Sequence, residues 1–133
     1  MTNNINVTLD TSVTPNVLNI DDNGGTNVSK NPNPQTISWN LTGNLAQGEF
    51  VSMSATEPGF EWVSSPAPAA GIFGTPQIGA NGNSLDLVDN HTNDDSDGSW
   101  IYRLRVSLNG CVYATTASTG ITSTSNNPII IND

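Results

Sequence analysis

Five aspartates lie within twelve residues of the stretch LDLVDNHTNDDSDGSW at 85–100, in a chain that carries few other charges. Carboxylate and amide oxygens are the ligands that calcium prefers in proteins, and six to eight of them complete a calcium site. The composition therefore allows a calcium-binding loop at 89–97. Its candidate metal ligands are Asp89, Asn93, Asp94, Asp95 and Asp97.

The same residues do not complete a helical EF-hand loop. If Gly98 takes the invariant glycine position, Leu104 stands where the bidentate glutamate is required. The flanking segments also alternate like strands rather than helices. The alternative to a calcium site is a solvated turn, in which Asp and Asn side chains bond their own backbone and Gly98 supplies the bend. The solvated turn is the preferred interpretation, so no cofactor is expected, and a calcium ion is the alternative that stays open.

A calcium-binding loop could form a carbohydrate site together with an aromatic side chain, because an aromatic ring offers a flat apolar surface on which a sugar can stack. Trp62 and its neighbour Glu61 are the candidate ligand-binding residues, and burial of Trp62 in the core is the alternative. A glycosidase would need two carboxylates held about 5–9 Å apart, which sequence spacing does not establish. We therefore expect no enzymatic activity, and no residue is assigned a catalytic role.

Charge and cysteine content exclude several further functions. The formal charge is −9, and Lys30, Arg103 and Arg105 are the only lysine and arginine residues. Nucleic acids and anionic membranes are poor partners for such a chain, because both require a basic surface. Cys111 is the only cysteine, so an intrachain disulfide and a thiolate zinc cluster are excluded. We expect Cys111 to be buried in a strand and the two arginines to face solvent.

The elements that must position these residues are strands. Apolar and polar residues alternate in INVTL, TISWNL, SLDLVD and WIYRLRV, and no stretch sustains a helical period free of Gly and Pro. Turn signals recur every 8–12 residues, which predicts an all-β, immunoglobulin-like antiparallel β-sandwich of about 7–9 strands, with residues 1–133 as one domain. The predicted core residues are Ile5, Val7, Ile37, Trp39, Leu41, Leu85, Leu87, Trp100, Tyr102, Leu104 and Val106.

Four segments follow one another in an order shared with known domains: TISWNL, ATEPGF, LDLVDNHTNDDSDGSWIYRLRV and the terminal NNPIIIND. Over roughly three quarters of its length the chain thereby resembles the DP-EP family of small bacterial β-sandwich domains. Family members similarly place an acidic turn before the penultimate hairpin and end on a Pro-x-Ile-x-Asn type strand. This sequence keeps Glu57-Pro58 but has Asn127 before Pro128 in place of the Asp-Pro element. The resemblance implies a β-sandwich and no particular activity.

Two classes of function follow from these observations. The first is a non-enzymatic structural or interaction module that forms a homo-oligomer through an edge strand or a sheet face, because open sandwiches leave edges that must be paired or blunted. The second is a calcium-dependent carbohydrate- or ligand-binding module that uses the Asp-rich loop 89–97. The N-terminus shows no signal peptide, so a cytoplasmic location is the default expectation, with leaderless export left open.

Overall fold

The computed structural model describes residues 2–12, 14, 16–21, 25–63, 67–115 and 128–133. Within them the chain forms eleven β-strands and two short 3₁₀ helices, which confirms the predicted all-β class. The strands are β1 (Thr2–Asp10), β2 (Val17–Ile20), β3 (Gly25–Val28), β4 (Gln35–Leu41), β5 (Glu49–Phe50), β6 (Phe60–Trp62), β7 (Gln77–Ile78), β8 (Ser84–Asp89), β9 (Gly98–Leu108), β10 (Cys111–Ala114) and β11 (Ile129–Asn132). The 3₁₀ helices are Gly43–Leu45 and Asp94–Ser96. No helix among these residues is long and apolar enough to cross a membrane.

The strands form two sheets, as a sandwich requires. The first sheet has the order β2-β1-β4-β8-β7, and the second contains β3, β11, β9, β10, β5 and β6. Both sheets are mixed, because β1 pairs with β4 and β3 pairs with β11 in parallel. Turn signals in a sequence report only antiparallel neighbours joined by a hairpin, so these two parallel pairs had no local signature. The count exceeds nine because β5 and β7 are two residues long, too short to show alternation.

Strand β9 is the centre of the second sheet and carries the chain away from the acidic loop. The amide of Tyr102 donates to the Pro128 carbonyl, on the side where β11 and β10 pair. The amide of Arg105 donates to the Gly59 carbonyl, on the side of β5 and β6. Successive residues of a strand direct their amides to opposite edges, so β10 and β11 lie end to end along one edge of β9.

The core lies between the sheets and contains ten of the eleven predicted residues. Trp39 and Tyr102 stand at its centre, where Trp39 Nε1 donates to Tyr102 Oη at 2.9 Å. Trp100 is the exception: it is half-buried at the end of the sandwich, with its ring against Phe73. The ring also covers Gly98, where a Cβ would meet it at 2.7 Å. Alternation predicted the face of β9 on which Trp100 lies but not how far the side chain is buried, since β9 begins at the end of the sandwich.

The structure corrects two further expectations. Cys111 is exposed rather than buried, because β10 is an edge strand that begins directly after the Asn109–Gly110 turn. Arg105 is only 6 % exposed, and its guanidinium donates to the Pro58 carbonyl at 3.0 Å and to the Glu61 carboxylate. The loop at Pro58 that covers the arginine is what the alternation of β9 could not predict.

Candidate functional site

The acidic loop joins β8 to β9, and its backbone amides donate hydrogen bonds to oxygens of the same loop. Asn93 is the N-cap of the 3₁₀ turn Asp94–Ser96, and its Oδ1 accepts from the Asp95 amide at 2.9 Å. The amides of Ser96 and Asp97 donate to the carbonyls of Asn93 and Asp94, both at 3.2 Å. This is the capped turn that the solvated alternative predicts for such residues.

Two of the aspartates share a lysine from a distant part of the chain. Lys30 Nζ lies 3.0 Å from Oδ1 of Asp94 and 3.0 Å from Oδ1 of Asp97. Hydrogen bonds to Asp94 first, and then to Asp97, raise the pKa of Lys30 above its ordinary value. The groups are largely exposed, so these ion pairs contribute little to stability. Their consequence is electrostatic: an ammonium group already neutralises part of the loop.

Asp89 lies inside the sandwich, apart from the exposed aspartates. It is 0 % exposed and continues the inward row of Leu85 and Leu87 on β8. Asn132 Nδ2 donates to Asp89 Oδ1 at 3.1 Å, whereas Oδ2 has no hydrogen-bond partner among the described residues. Burial raises the pKa of Asp89 from 3.8 to about 6, against the smaller lowering effects of Asn132 and the His91 charge.

A buried polar network links Asp89 to the loop and joins the two sheets. Asn132 on β11 also donates from Nδ2 to the Ser96 carbonyl at 3.0 Å. His91 is 1 % exposed, with Nδ1 2.8 Å from Ser96 Oγ and Nε2 2.8 Å from the Asp133 carbonyl oxygen. Both ring nitrogens are therefore engaged within the protein. The sequence offered one signal for this histidine, namely its place between Asp89 and Asp94.

A surface pocket of about 350 Å³ opens beside this loop. Its apolar wall comes from the connection before β7, and its polar wall from the acidic loop. The lining residues are Ala69, Ala70, Gly71, Ile72, Asn90, Thr92, Asn93, Asp95 and Ser96. The two walls are tied together, because the Asn90 amide donates to the Ile72 carbonyl at 2.8 Å and its Nδ2 donates to the Gly71 carbonyl at 3.2 Å.

The predicted metal ligands are thus divided among several environments. Asn93 and Asp95 meet at the pocket, Asp94 and Asp97 meet at Lys30, and Asp89 lies in the interior. In the described part of the chain, no three His, Cys, Asp or Glu side chains are placed to hold a metal ion together. The feature that sequence reasoning missed is the 69–72 wall, because a Pro- and Ala-rich connection carries no motif.

The predicted ligand pair Trp62 and Glu61 lies on β6, outside the lining of this pocket. Trp62 is half-buried, and its ring stands edge-on to Phe60 at 5.0 Å and tilted against Phe73 at 4.8 Å. The Glu61 carboxylate is bonded to Arg105. Both side chains therefore have contacts within the protein, and the structure does not bring them together with the acidic loop.

Comparison with known proteins assigns no family to the chain: no protein-family model and no curated protein matches it. The resemblance to the DP-EP family therefore stays a prediction.

Proposed function

We propose that this protein is a non-enzymatic binding module whose pocket at 69–72 and 90–96 holds a small organic cation. The ligand class is a primary ammonium group on a short apolar chain. The observation that carries the proposal is that Asp95, an exposed acidic residue, lines the same cavity as the apolar residues Ala69, Ala70 and Ile72. Pockets of about 300–1,000 Å³ with few polar groups are the usual form of small-ligand sites.

The charge distribution of the loop supports an ammonium ligand. Asp94 and Asp97 share the Lys30 ammonium, whereas Asp95 has no ion pair within the described residues. Lys30 is itself an intramolecular example of an ammonium group bound to this loop. The formal charge of −9 also attracts small cations toward the surface. The methyl groups of Ala69, Ala70 and Ile72 suit the methylene part of the ligand.

The state of the nearest reactive groups supports binding without catalysis. His91 is the only histidine of the chain, and both of its ring nitrogens contact protein oxygens. Ser96 is buried, and its Oγ donates to the Asn93 carbonyl at 2.7 Å. A general base must reach the proton that it removes, and here the base is directed into the protein. The calcium-dependent carbohydrate alternative stays a prediction, with Lys30 as the competitor that calcium must displace.

An NMR titration with n-butylammonium, and with neutral n-butanol as the matched probe, tests the proposal. We expect n-butylammonium to shift the amide signals of Asn90, Thr92 and Asp95 with a millimolar Kd, about −4 kcal/mol. Asp95→Asn should weaken binding about tenfold, whereas Asp86→Asn, on the outer face of β8, removes the same charge without effect. Equal binding of n-butanol, or equal weakening by the two variants, would exclude the ammonium site.

A further inference from the structure

Three asparagines of the chain are followed directly by glycine, the neighbour that leaves an asparagine side chain most open to attack by the backbone. They are Asn23, Asn81 and Asn109. Asparagine is a chemically labile residue, and a following glycine has no Cβ to keep its amide away from the side chain. Asn23 lies outside the described residues. Asn81 and Asn109 can be compared directly, because they have the same neighbour in different surroundings.

The Asn81–Gly82 pair is held in a hydrogen-bonded turn before β8. The Gly82 amide donates to the Gly79 carbonyl at 3.0 Å, and the Gly82 carbonyl accepts from the Phe50 amide at 2.8 Å. Gly82 is also closely packed, since a Cβ there would meet the Glu49 side chain at 3.0 Å. The Gly82 amide must lose its hydrogen bond before it can react with another group, so these surroundings protect Asn81.

The Asn109–Gly110 pair forms the exposed turn between β9 and β10. Both residues are left-handed, with φ values of 51° and 82°, as the two-residue turn that pairs Leu108 with Cys111 requires. Within the described residues, the Gly110 amide donates no hydrogen bond, and a Cβ on Gly110 would meet no atom within 4 Å beyond its chain neighbours. Ring closure between this amide and the Asn109 side chain requires the turn to open, and opening breaks no hydrogen bond of the attacking amide.

We propose that Asn109 is a site of spontaneous covalent modification by deamidation, with water as the co-reactant. The Gly110 nitrogen attacks Cγ of Asn109. The new N–Cγ bond forms, the Cγ–Nδ2 bond breaks, and the proton of the Gly110 amide leaves with Nδ2 as ammonia. Water then opens the cyclic imide. Hydrolysis at Cγ gives aspartate, and hydrolysis at the main-chain carbonyl gives isoaspartate, in which the backbone continues through the side-chain carboxyl carbon.

The modification changes the hairpin and not the pocket. Either product places a carboxylate at the tip of the segment VSLNGCVYAT at 106–115, which contains no charged residue. Isoaspartate also lengthens the backbone of the turn by a methylene group, and the turn length fixes the register of the two strands. We expect the isoaspartate product to loosen β10 from β9. The acidic loop lies at the other end of β9 and stays as it is.

Peptide mapping of the full chain by mass spectrometry tests the proposal, after storage of the folded protein in mildly alkaline buffer. We expect conversion at Asn109 to be at least about tenfold faster than at Asn81. In urea, where neither turn persists, the two sites should react at similar rates, since each is followed by glycine. Equal conversion of the two sites in the folded chain overturns the proposal. An unmodified Asn109, under conditions that convert both sites in urea, overturns it as well.

Hydrogen exchange measured by NMR checks the structural reason for the difference. In fresh protein the Gly110 amide should exchange with solvent at least about tenfold faster than the Gly82 amide. Exchange at equal rates would contradict the protection that the Gly79 carbonyl is argued to give.

Matched variants test the effect on the hairpin. Storage of the wild type should speed exchange of the Tyr113 amide on β10. Asn109→Gly lacks the reactive side chain and accepts the left-handed turn, so its Tyr113 amide should not change on storage. Asn81→Gly removes the protected asparagine instead and should behave like the wild type. The same change in both variants would show that the hairpin loosens for another reason.

Discussion

Replacement of Asp89 by asparagine should remove an unusual pH dependence of stability. The folded state holds this carboxyl at a pKa of about 6, whereas in the unfolded chain it returns to its ordinary value of 3.8. That difference corresponds to about 3 kcal/mol of stability. At a pH between these two pKa values, the folded state binds more protons than the unfolded state. The contribution of Asp89 is therefore fully favourable below about pH 4 and is lost as the pH rises to about 6.

Asp89→Asn retains the acceptor for Asn132 Nδ2 and carries no charge at any pH. At pH 7 the variant escapes the cost of a buried carboxylate, but its new amide group adds a buried donor that costs about 1–3 kcal/mol if it is unpaired. The net change at pH 7 is therefore a stabilisation of up to about 2 kcal/mol. At pH 4 the same variant is less stable than the wild type, since only the cost of the donor is left.

Urea denaturation of both proteins from about pH 4 to pH 8 measures this effect as the difference between the two free energies of unfolding. Taking this difference removes the contribution of the other carboxylates, because both proteins contain them. Asp86→Asn, exposed on the opposite face of the same strand, is the control and should give a flat difference. A flat difference for Asp89→Asn, or a wild type that gains stability relative to the variant above pH 6, would refute the argument from burial.

Three further substitutions test the packing around the site and the core. Lys30→Met should leave the free energy of unfolding nearly unchanged, because both of its ion pairs are exposed; a clear loss of stability in urea denaturation would show that the lysine organises the loop. Gly98→Ala should destabilise by about 1–3 kcal/mol, since its Cβ meets the Trp100 ring at 2.7 Å, and Trp100→Leu in the same chain should relieve part of that loss. Tyr102→Phe should cost about 1–3 kcal/mol in thermal unfolding, because it leaves the buried Trp39 Nε1 without an acceptor; a neutral result would contradict the importance of that bond.

Asp89 shows what alternation along a strand can and cannot predict. Alternation from Leu85 through Leu87 leads to Asp89 on the same inward face, so its burial was implied by the spacing that predicted β8. We grouped it instead with the exposed aspartates by composition. What no local pattern contains is its partner: Asn132 lies 43 residues away on the other sheet, and only the packing of the sheets brings the two together.

By itself, the sequence determined the all-β class, the strand faces and most of the core. Successive side chains of a strand point to opposite faces, so the buried face can be read from neighbouring residues alone. Tertiary structure alone decided which charges meet. Lys30 reaches Asp97 across 67 residues, and the wall at 69–72 closes a pocket against 90–96. Such contacts depend on how the two sheets and their loops pack, and the spacing of residues along the chain does not reveal which distant residues the packing brings together.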